Sequence, residues 1–258
     1  MFAIYRKEMR SYFINPIGYV YLGVFLVFSA LLCCYMTLIA GTYNTGSYFT
    51  FLLISLIVLI PILTMRLFAE ERKMRTEQLL LTAPVTITGM VLGKFFAALT
   101  VFVSGVLLSC INFLPLYLIG MAENNNPDRS AALLQAGPVT GEIVGSVIAV
   151  ILVGAALIAV GTLISSVTEN QLSAAVVTTG VIAVMMLLSL FTSLKDADGQ
   201  PLIASYAIRS VISWVSVLSR FSNFSSGIFD YAALLYYASL AFIFLFLTVR
   251  VYEKRRWG

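Results

Sequence analysis

Long uncharged runs alternate with short charged segments along this 258-residue chain. Residues 16–65 contain no charge, and the turn-forming string "GTYNTGSY" at 41–48 interrupts them. Because about 20 apolar residues cross a bilayer as a helix, this run holds two spans, at about 17–40 and 48–65. Four more uncharged runs, at 95–119, 143–167, 172–194 and 231–249, predict spans at about 88–119, 143–167, 172–194 and 231–252. The pattern predicts an all-α polytopic membrane protein with six transmembrane helices.

The distribution of lysine and arginine orients these spans. Residues are 60% hydrophobic and only 11% charged, so the few cations carry the topology signal. One side of the membrane receives 12 of the 16 Lys and Arg residues and the other side 4, whereas the acids divide evenly. Cytoplasmic loops retain positive charge. We therefore expect a multi-pass protein of the cell membrane with both termini on the cytoplasmic side.

The first 15 residues form a predicted interfacial helix. Its apolar side chains recur at three- and four-residue steps, and its cations lie largely elsewhere around the helix. Asn15-Pro16 then redirects the chain into the membrane. The alternative is a short basic tail that only sets orientation.

The most charged segment follows the second span. Six charges occur in the eight residues from Glu70 to Glu77, and the i,i+4 pairs predict a helix over about 67–83 that ends before Pro84. Its glutamates add nothing to a positive-inside signal and are repelled by anionic lipid. A protein partner therefore explains them better than a helix that only floats on the membrane surface, which remains the alternative.

Four motifs in register carry a family resemblance: "RLFAEERKMRTEQLLLTAPVT" at 66–86, "ISSVTENQLSAA" at 164–175, "FSNFSSGIFDYAALLYY" at 221–237 and "LTVRVYEKRRW" at 247–257. Together they cover nearly the whole chain. The sequence resembles permease subunits of type-2 ABC exporters. It is most similar to the gliding-motility branch, which is related to the permease that serves nitrous-oxide reductase maturation.

The resemblance implies partners. Two copies of a separate ABC ATPase bind from the cytoplasm, and a second copy of the permease or a homologous permease completes the membrane pathway. A membrane-anchored auxiliary subunit and membrane lipids are further expected partners, and nucleic acid is not. The helix at about 67–83 is then the coupling helix that docks the ATPase, through Glu70, Glu71, Arg72, Arg75 and Glu77. A second cytoplasmic contact comes from Thr168, Glu169 and Asn170, for which an ordinary capped helix hairpin is the alternative.

Nucleotide chemistry is expected in the partner and not in this chain. The nearest string to a P-loop, "GMVLGKF" at 89–95, has one residue too few between its glycines and Phe95 at the hydroxyl position. We interpret Lys94 as a cytoplasmic snorkelling anchor. No enzyme activity, cofactor or metal is expected here, since ATP and Mg belong to the ATPase subunit, and the chain has no histidine.

Small and hydroxylated residues mark two spans. Gly154 and Gly161 of the fourth span allow close helix approach. Helix packing is the favoured role for such residues in both spans, and lining of the pathway is the alternative. The resemblance places the fifth span near the two-fold axis, so Ser173, Thr178 and Thr179 are the candidates for lining the pathway. Arg209 and Arg220 disfavour a further span, so we expect an extracytoplasmic helical element at about 200–228.

Three function classes follow. The first is a permease that exports a hydrophobic or amphipathic substrate with energy from the ATPase. The second is a membrane scaffold in a cell-envelope or gliding machine. The third, a secondary carrier, is disfavoured because such carriers use ionisable groups within the bilayer and the six uncharged runs contain none.

Overall fold

The computed structural model describes residues 1–76, 86–124, 137–193, 216–217, 220–221, 224 and 230–257. Over these residues the chain is helical, with connecting turns and no strand. Glu77 and nearly all of the predicted extracytoplasmic element at about 200–228 lie outside the described residues.

Nine α-helices follow one another in the described part of the chain: α1 (Phe2–Ile14), α2 (Ile17–Cys33), α3 (Gly46–Thr64), α4 (Ala69–Lys73), α5 (Ile87–Ser109), α6 (Leu114–Asn124), α7 (Thr140–Val167), α8 (Gln171–Ser193) and α9 (Tyr231–Trp257). A π-helical segment, Cys34–Ile39, extends α2, and a 3-10 turn, Cys110–Phe113, joins α5 to α6. Within the described ranges, six helical segments are long and apolar enough to cross a membrane. The predicted all-α polytopic fold and its six spans are confirmed.

The spanning helices form a core and a periphery. More than half of the most apolar stretch is buried in the second, third and fourth spans, and less than a third in the first, fifth and sixth. The fourth span, α7, packs along α9 and also contacts α3, α5 and α8. Exposed apolar residues such as Leu235 and Phe242 on α9 suit contact with lipid. The bundle is therefore built around α7.

Two glycines set how closely α7 approaches its neighbours. A Cβ at Gly154 would overlap the ring of Phe102 on α5, and one at Gly161 would overlap the side chain of Thr64 on α3. The predicted role of both glycines in close helix packing is confirmed.

One end of the bundle, which we call the α4 end, collects segments that are distant in sequence. The side chain of Ile4 on α1 packs on Gly93 of α5, and the hydroxyls of Tyr5 and Thr100 are hydrogen-bonded at 3.2 Å. The rings of Phe68, just before α4, and Tyr252, near the end of α9, lie 4.9 Å apart. The α4 end thus brings α1, α4, α5 and α9 together.

The helix predicted over about 67–83 is interrupted after α4. Helix α4 ends at Lys73, and Arg75 adopts a left-handed conformation with φ of 58°. The Thr76 amide donates to the Glu71 carbonyl at 2.9 Å and the Arg75 amide to the Arg72 carbonyl at 3.1 Å. These two bonds form a Schellman C-cap, a motif that usually has glycine at the left-handed position. A continuous helix from 67 to 83 is therefore wrong, because the chain turns at Arg75.

Replacing the packing glycines should destabilise the bundle. We expect Gly154→Ala and Gly161→Ala each to reduce the stability of the detergent-purified protein by about 1–3 kcal/mol, because the added methyl group overpacks a helix contact. Thermal unfolding measures the effect. Gly180→Ala is the matched control, since its added Cβ would lie more than 4 Å from any other described part of the chain apart from its neighbours and the backbone of its own helix. Melting temperatures that fall equally in all three variants would contradict the packing role.

Candidate functional site

A buried lysine organises the α4 end. Lys94 lies about two turns into α5, which begins where the Thr86 hydroxyl accepts a hydrogen bond from the Gly89 amide at 3.3 Å. Its side chain is only 1% exposed. The ammonium donates to Glu8 Oε1 at 2.8 Å and to the Leu67 carbonyl at 2.7 Å. A buried ammonium must be paired in this way, because desolvation penalises an uncompensated charge.

A second carboxylate completes the arrangement. Glu71 Oε1 lies 3.0 Å from Lys94 Nζ and 3.2 Å from Lys7 Nζ, while Lys94 also lies over the Phe68 ring, 5.2 Å from its centroid. We call Lys7, Glu8, Glu71 and Lys94 the Lys94 cluster. Two cations and two carboxylates make the cluster neutral. It joins α1, the segment after α3, α4 and α5 at one point.

The N-terminus of α4 is fixed to α7 by one hydroxyl. Ser165 Oγ accepts hydrogen bonds from the Phe68 amide at 3.1 Å and the Ala69 amide at 3.2 Å. The first amides of a helix have no intrahelical acceptor, so a side-chain oxygen that accepts from them stabilises the helix start. Here the capping oxygen comes from another helix, and it ties α4 to the fourth span.

Arg72 makes the next link between α4 and α7. Its guanidinium donates to the Val167 carbonyl at 2.7 Å and to the Thr168 carbonyl at 3.4 Å, and it pairs with Glu169 at 3.6 Å. The last carbonyls of a helix lack intrahelical partners and carry partial negative charge, so a cation is favourable there. Arg72 therefore binds the C-terminus of α7 and the turn that follows it.

Two further contacts hold the end of α3 and the segment that follows it. Arg66 donates to both carboxylate oxygens of Glu70, at 2.7 and 2.8 Å, in a bidentate ion pair. Tyr12 of α1 donates to the Leu63 carbonyl at 3.1 Å. Burial, with Glu8 as the next cause, raises the pKa of Tyr12 far above its ordinary value. The phenol therefore stays protonated and remains a donor.

The residues predicted to dock an ATPase divide into inward and outward groups. Glu70, Glu71 and Arg72 are held by contacts within the chain. The outward group is exposed, apart from Thr168, which is half-buried beside the exposed turn between α7 and α8. We call this group the α4 surface, and it consists of Lys73, Met74, Arg75, Thr168, Glu169 and Asn170. Met74 is 69% exposed at its centre.

The candidate pathway residues of α8 face in different directions. Ser173 is exposed and Thr179, half-buried, donates to the Ala175 carbonyl at 2.8 Å. Thr178 is 1% exposed, and its hydroxyl has no hydrogen-bond partner among the described residues. The three side chains therefore do not form one lining within the single chain, and their role in a pathway stays a prediction.

Sequence reasoning missed the centre of this site. Lys94 does not snorkel to water as predicted, because two carboxylates and a carbonyl surround it inside the protein. One signal was available: Glu8 is the only acid of α1, on a helix otherwise suited to a membrane surface. Ser165 carried no signal, since its capping role depends on a contact with a segment 97 residues away.

Six spans, five of them arranged around the fourth, with an ion cluster that fixes a short helix at one end, define a polytopic membrane protein. The model of the ABC-2 transporter family, described as "ABC-2 family transporter protein", matches residues 35–252. The chain belongs to this family. No curated protein was found to match it.

Family membership makes the chain a permease subunit, the membrane component of an ABC transporter, and implies an ATPase partner. The permease is a transport component and is not itself catalytic. The match is to the family as a whole, so the likeness to the gliding-motility branch stays a prediction.

Removing the Lys94 charge should destabilise the protein strongly. We expect Lys94→Met to cost about 3–5 kcal/mol of unfolding free energy, because it leaves two mostly buried carboxylates with only the exposed Lys7 as a cation. Thermal unfolding in detergent measures this loss. Lys73→Met is the matched control, since Lys73 is exposed on α4, and it should change stability by less than about 0.5 kcal/mol.

Neutralising the carboxylates tests the electrostatic origin of that loss. Adding Glu8→Gln and Glu71→Gln to Lys94→Met should recover part of the lost stability. A triple variant no more stable than Lys94→Met would contradict an origin of the loss in the uncompensated carboxylates.

Proposed function

We propose that this permease exports a hydrophobic or amphipathic substrate, driven by two copies of a separate ATPase that dock on the α4 surface from the cytoplasm. One observation carries the proposal: the α4 surface is exposed and cationic, while α4 itself is held to α5 and α7. A partner that pushes on this surface acts on α1, α3, α5 and α7 through the contacts described above.

The composition of the α4 surface suits a protein partner. Lys73 and Arg75 flank the exposed Met74, so an apolar side chain is surrounded by cations. Protein interfaces combine an apolar centre with a polar rim, and methionine and arginine are enriched there. Glu169 and Asn170 extend this surface from the α7–α8 turn, which Arg72 holds beside α4. We infer that both cytoplasmic contacts belong to one continuous interface.

The anchoring of α4 suits transmission of force. Ser165 and Arg72 connect it to the end of α7, and Glu71 connects it through Lys94 to α5. A loop held only at its two chain ends absorbs a push by bending. A loop fixed to several spans instead moves them together, which a transporter requires when a partner's closing motion must reach the membrane.

The substrate class follows from the membrane segments. The uncharged runs place no ionisable side chain deep in the bilayer, and α8 offers only hydroxyls. Such surroundings favour an apolar or amphipathic molecule. We place α4 on the cytoplasmic side because the excess of lysine and arginine lies there. A second permease, identical or homologous, completes the pathway in this proposal.

Charge reversal on the α4 surface tests docking. We expect Lys73→Glu together with Arg75→Glu to weaken ATPase co-purification at least tenfold, because like charges placed across an interface cost several kcal/mol and about 1.4 kcal/mol is already tenfold. These positions are preferable to Glu71, since a lysine at 71 would face Lys94 inside the protein and disturb the fold.

The control reverses two exposed cations elsewhere. Lys254→Glu with Arg256→Glu, on α9, makes the same change in charge and should leave recovery of the ATPase intact. Substrate-stimulated ATP hydrolysis by the complex gives a second readout. Equal recovery and equal turnover in both double variants would mean that the α4 surface does not bind the ATPase.

A further inference from the structure

One face of α1 is largely exposed in the described part of the chain. Tyr5 and Glu8 point toward α5, whereas the opposite face lines an open groove of about 780 Å³. The described residues of this groove are Phe2, Ala3, Arg6, Lys7, Arg10, Ser11, Ile14 and Asn15. We call them the α1 groove. It is separate from the α4 surface.

The α1 groove is strongly cationic. Arg6, Lys7 and Arg10 are exposed on it, and it includes no carboxylate among its described residues. The only acid of α1, Glu8, is turned inward and bonded to Lys94. Folding has therefore placed the negative charge of this helix inside and left its positive charge outside. This exposed positive charge favours an anionic partner.

The position of α1 determines which anionic partner can reach it. Residues Asn15 and Pro16 alone separate α1 from α2, and Gly18 of α2 lies against the Tyr12 backbone. Since α2 begins the first span, α1 cannot leave the membrane surface. Phe2 and Ile14, at the two ends of the groove, are 76% and 79% exposed. Apolar ends around a cationic centre match the boundary between headgroups and acyl chains.

We propose that the α1 groove binds the headgroup phosphate of an anionic phospholipid in the adjoining leaflet. Arg6 and Arg10 lie one helical turn apart on the same face, a spacing of about 5–6 Å between Cβ atoms, so both guanidinium groups can contact one headgroup. Ser11 adds a hydroxyl donor beside them. Phe2 and Ile14 contact the acyl chains on either side.

Lys7 links this site to the Lys94 cluster. It lines the groove and also pairs with Glu71 at 3.2 Å. A bound phosphate therefore lies next to an ion pair that holds α4. Lipid binding on α1 and the position of α4 are connected through this one side chain.

Native mass spectrometry of the detergent-purified permease tests the proposal, with phosphatidylglycerol and phosphatidylcholine added in equal amounts. Wild type should retain phosphatidylglycerol preferentially. The variant with Arg6→Gln and Arg10→Gln should bind it roughly ten- to thirtyfold more weakly, because each basic residue near an anionic surface contributes about one factor of five. Lys254→Gln with Arg256→Gln is the charge-matched control and should bind as wild type does.

Two further measurements distinguish a lipid headgroup site in the α1 groove from a contact with the ATPase. Arg6→Lys with Arg10→Lys should restore most of the binding, and added salt should weaken phosphatidylglycerol binding to wild type. Unchanged retention in the glutamine variant, or binding to wild type that salt does not affect, would overturn the proposal. A glutamine variant that keeps the lipid but loses the ATPase would assign the groove to the ATPase instead. That outcome would not decide whether the α4 surface also binds the ATPase, which the variant with Lys73→Glu and Arg75→Glu tests separately.

Discussion

A buried ammonium ion keeps its charge only if oxygen atoms surround it, and Lys94 imposes this requirement on the α4 end. Its position on α5 lies inside the protein, so the carboxylates of Glu8 and Glu71 and the carbonyl of Leu67 must come to it. These oxygens belong to α1, α4 and the segment between α3 and α4. One lysine therefore determines how these parts of the chain are arranged.

The consequences extend from this cluster to both proposed binding surfaces. With Glu8 turned inward, the exposed face of α1 is cationic. With Glu71 turned inward, Lys73 and the following Met74 are left exposed. A buried ion pair often stabilises a protein no more than apolar residues of similar volume would, but it requires accurate geometry. In this permease, the cluster's main contribution is the orientation of two surfaces relative to the spans.

The sequence predicts the parts of this structure that depend on local pattern. Uncharged length identifies the six spans, and the small residues at 154 and 161 identify close packing on α7. It does not reveal the partners of Lys94, because Glu8 is 86 residues away in sequence and meets it only after the bundle has formed. Nor does it predict the end of α4, since the left-handed Arg75 occupies a position where glycine is usual. The local charge pattern cannot distinguish glutamates that turn inward from glutamates that face a partner, because it is the same in either case.

The central claim is that the Lys94 cluster holds α4 in place, and amide hydrogen exchange of the purified permease tests it most directly. In wild type, the amides of Phe68 and Ala69 should exchange slowly, because they are bonded to Ser165 on the fourth span. Lys94→Met should accelerate exchange across residues 67–76 and leave the interior of α3 unchanged. Exchange at 67–76 that is equally slow without the lysine charge would contradict the account, since α4 would then be held by other contacts.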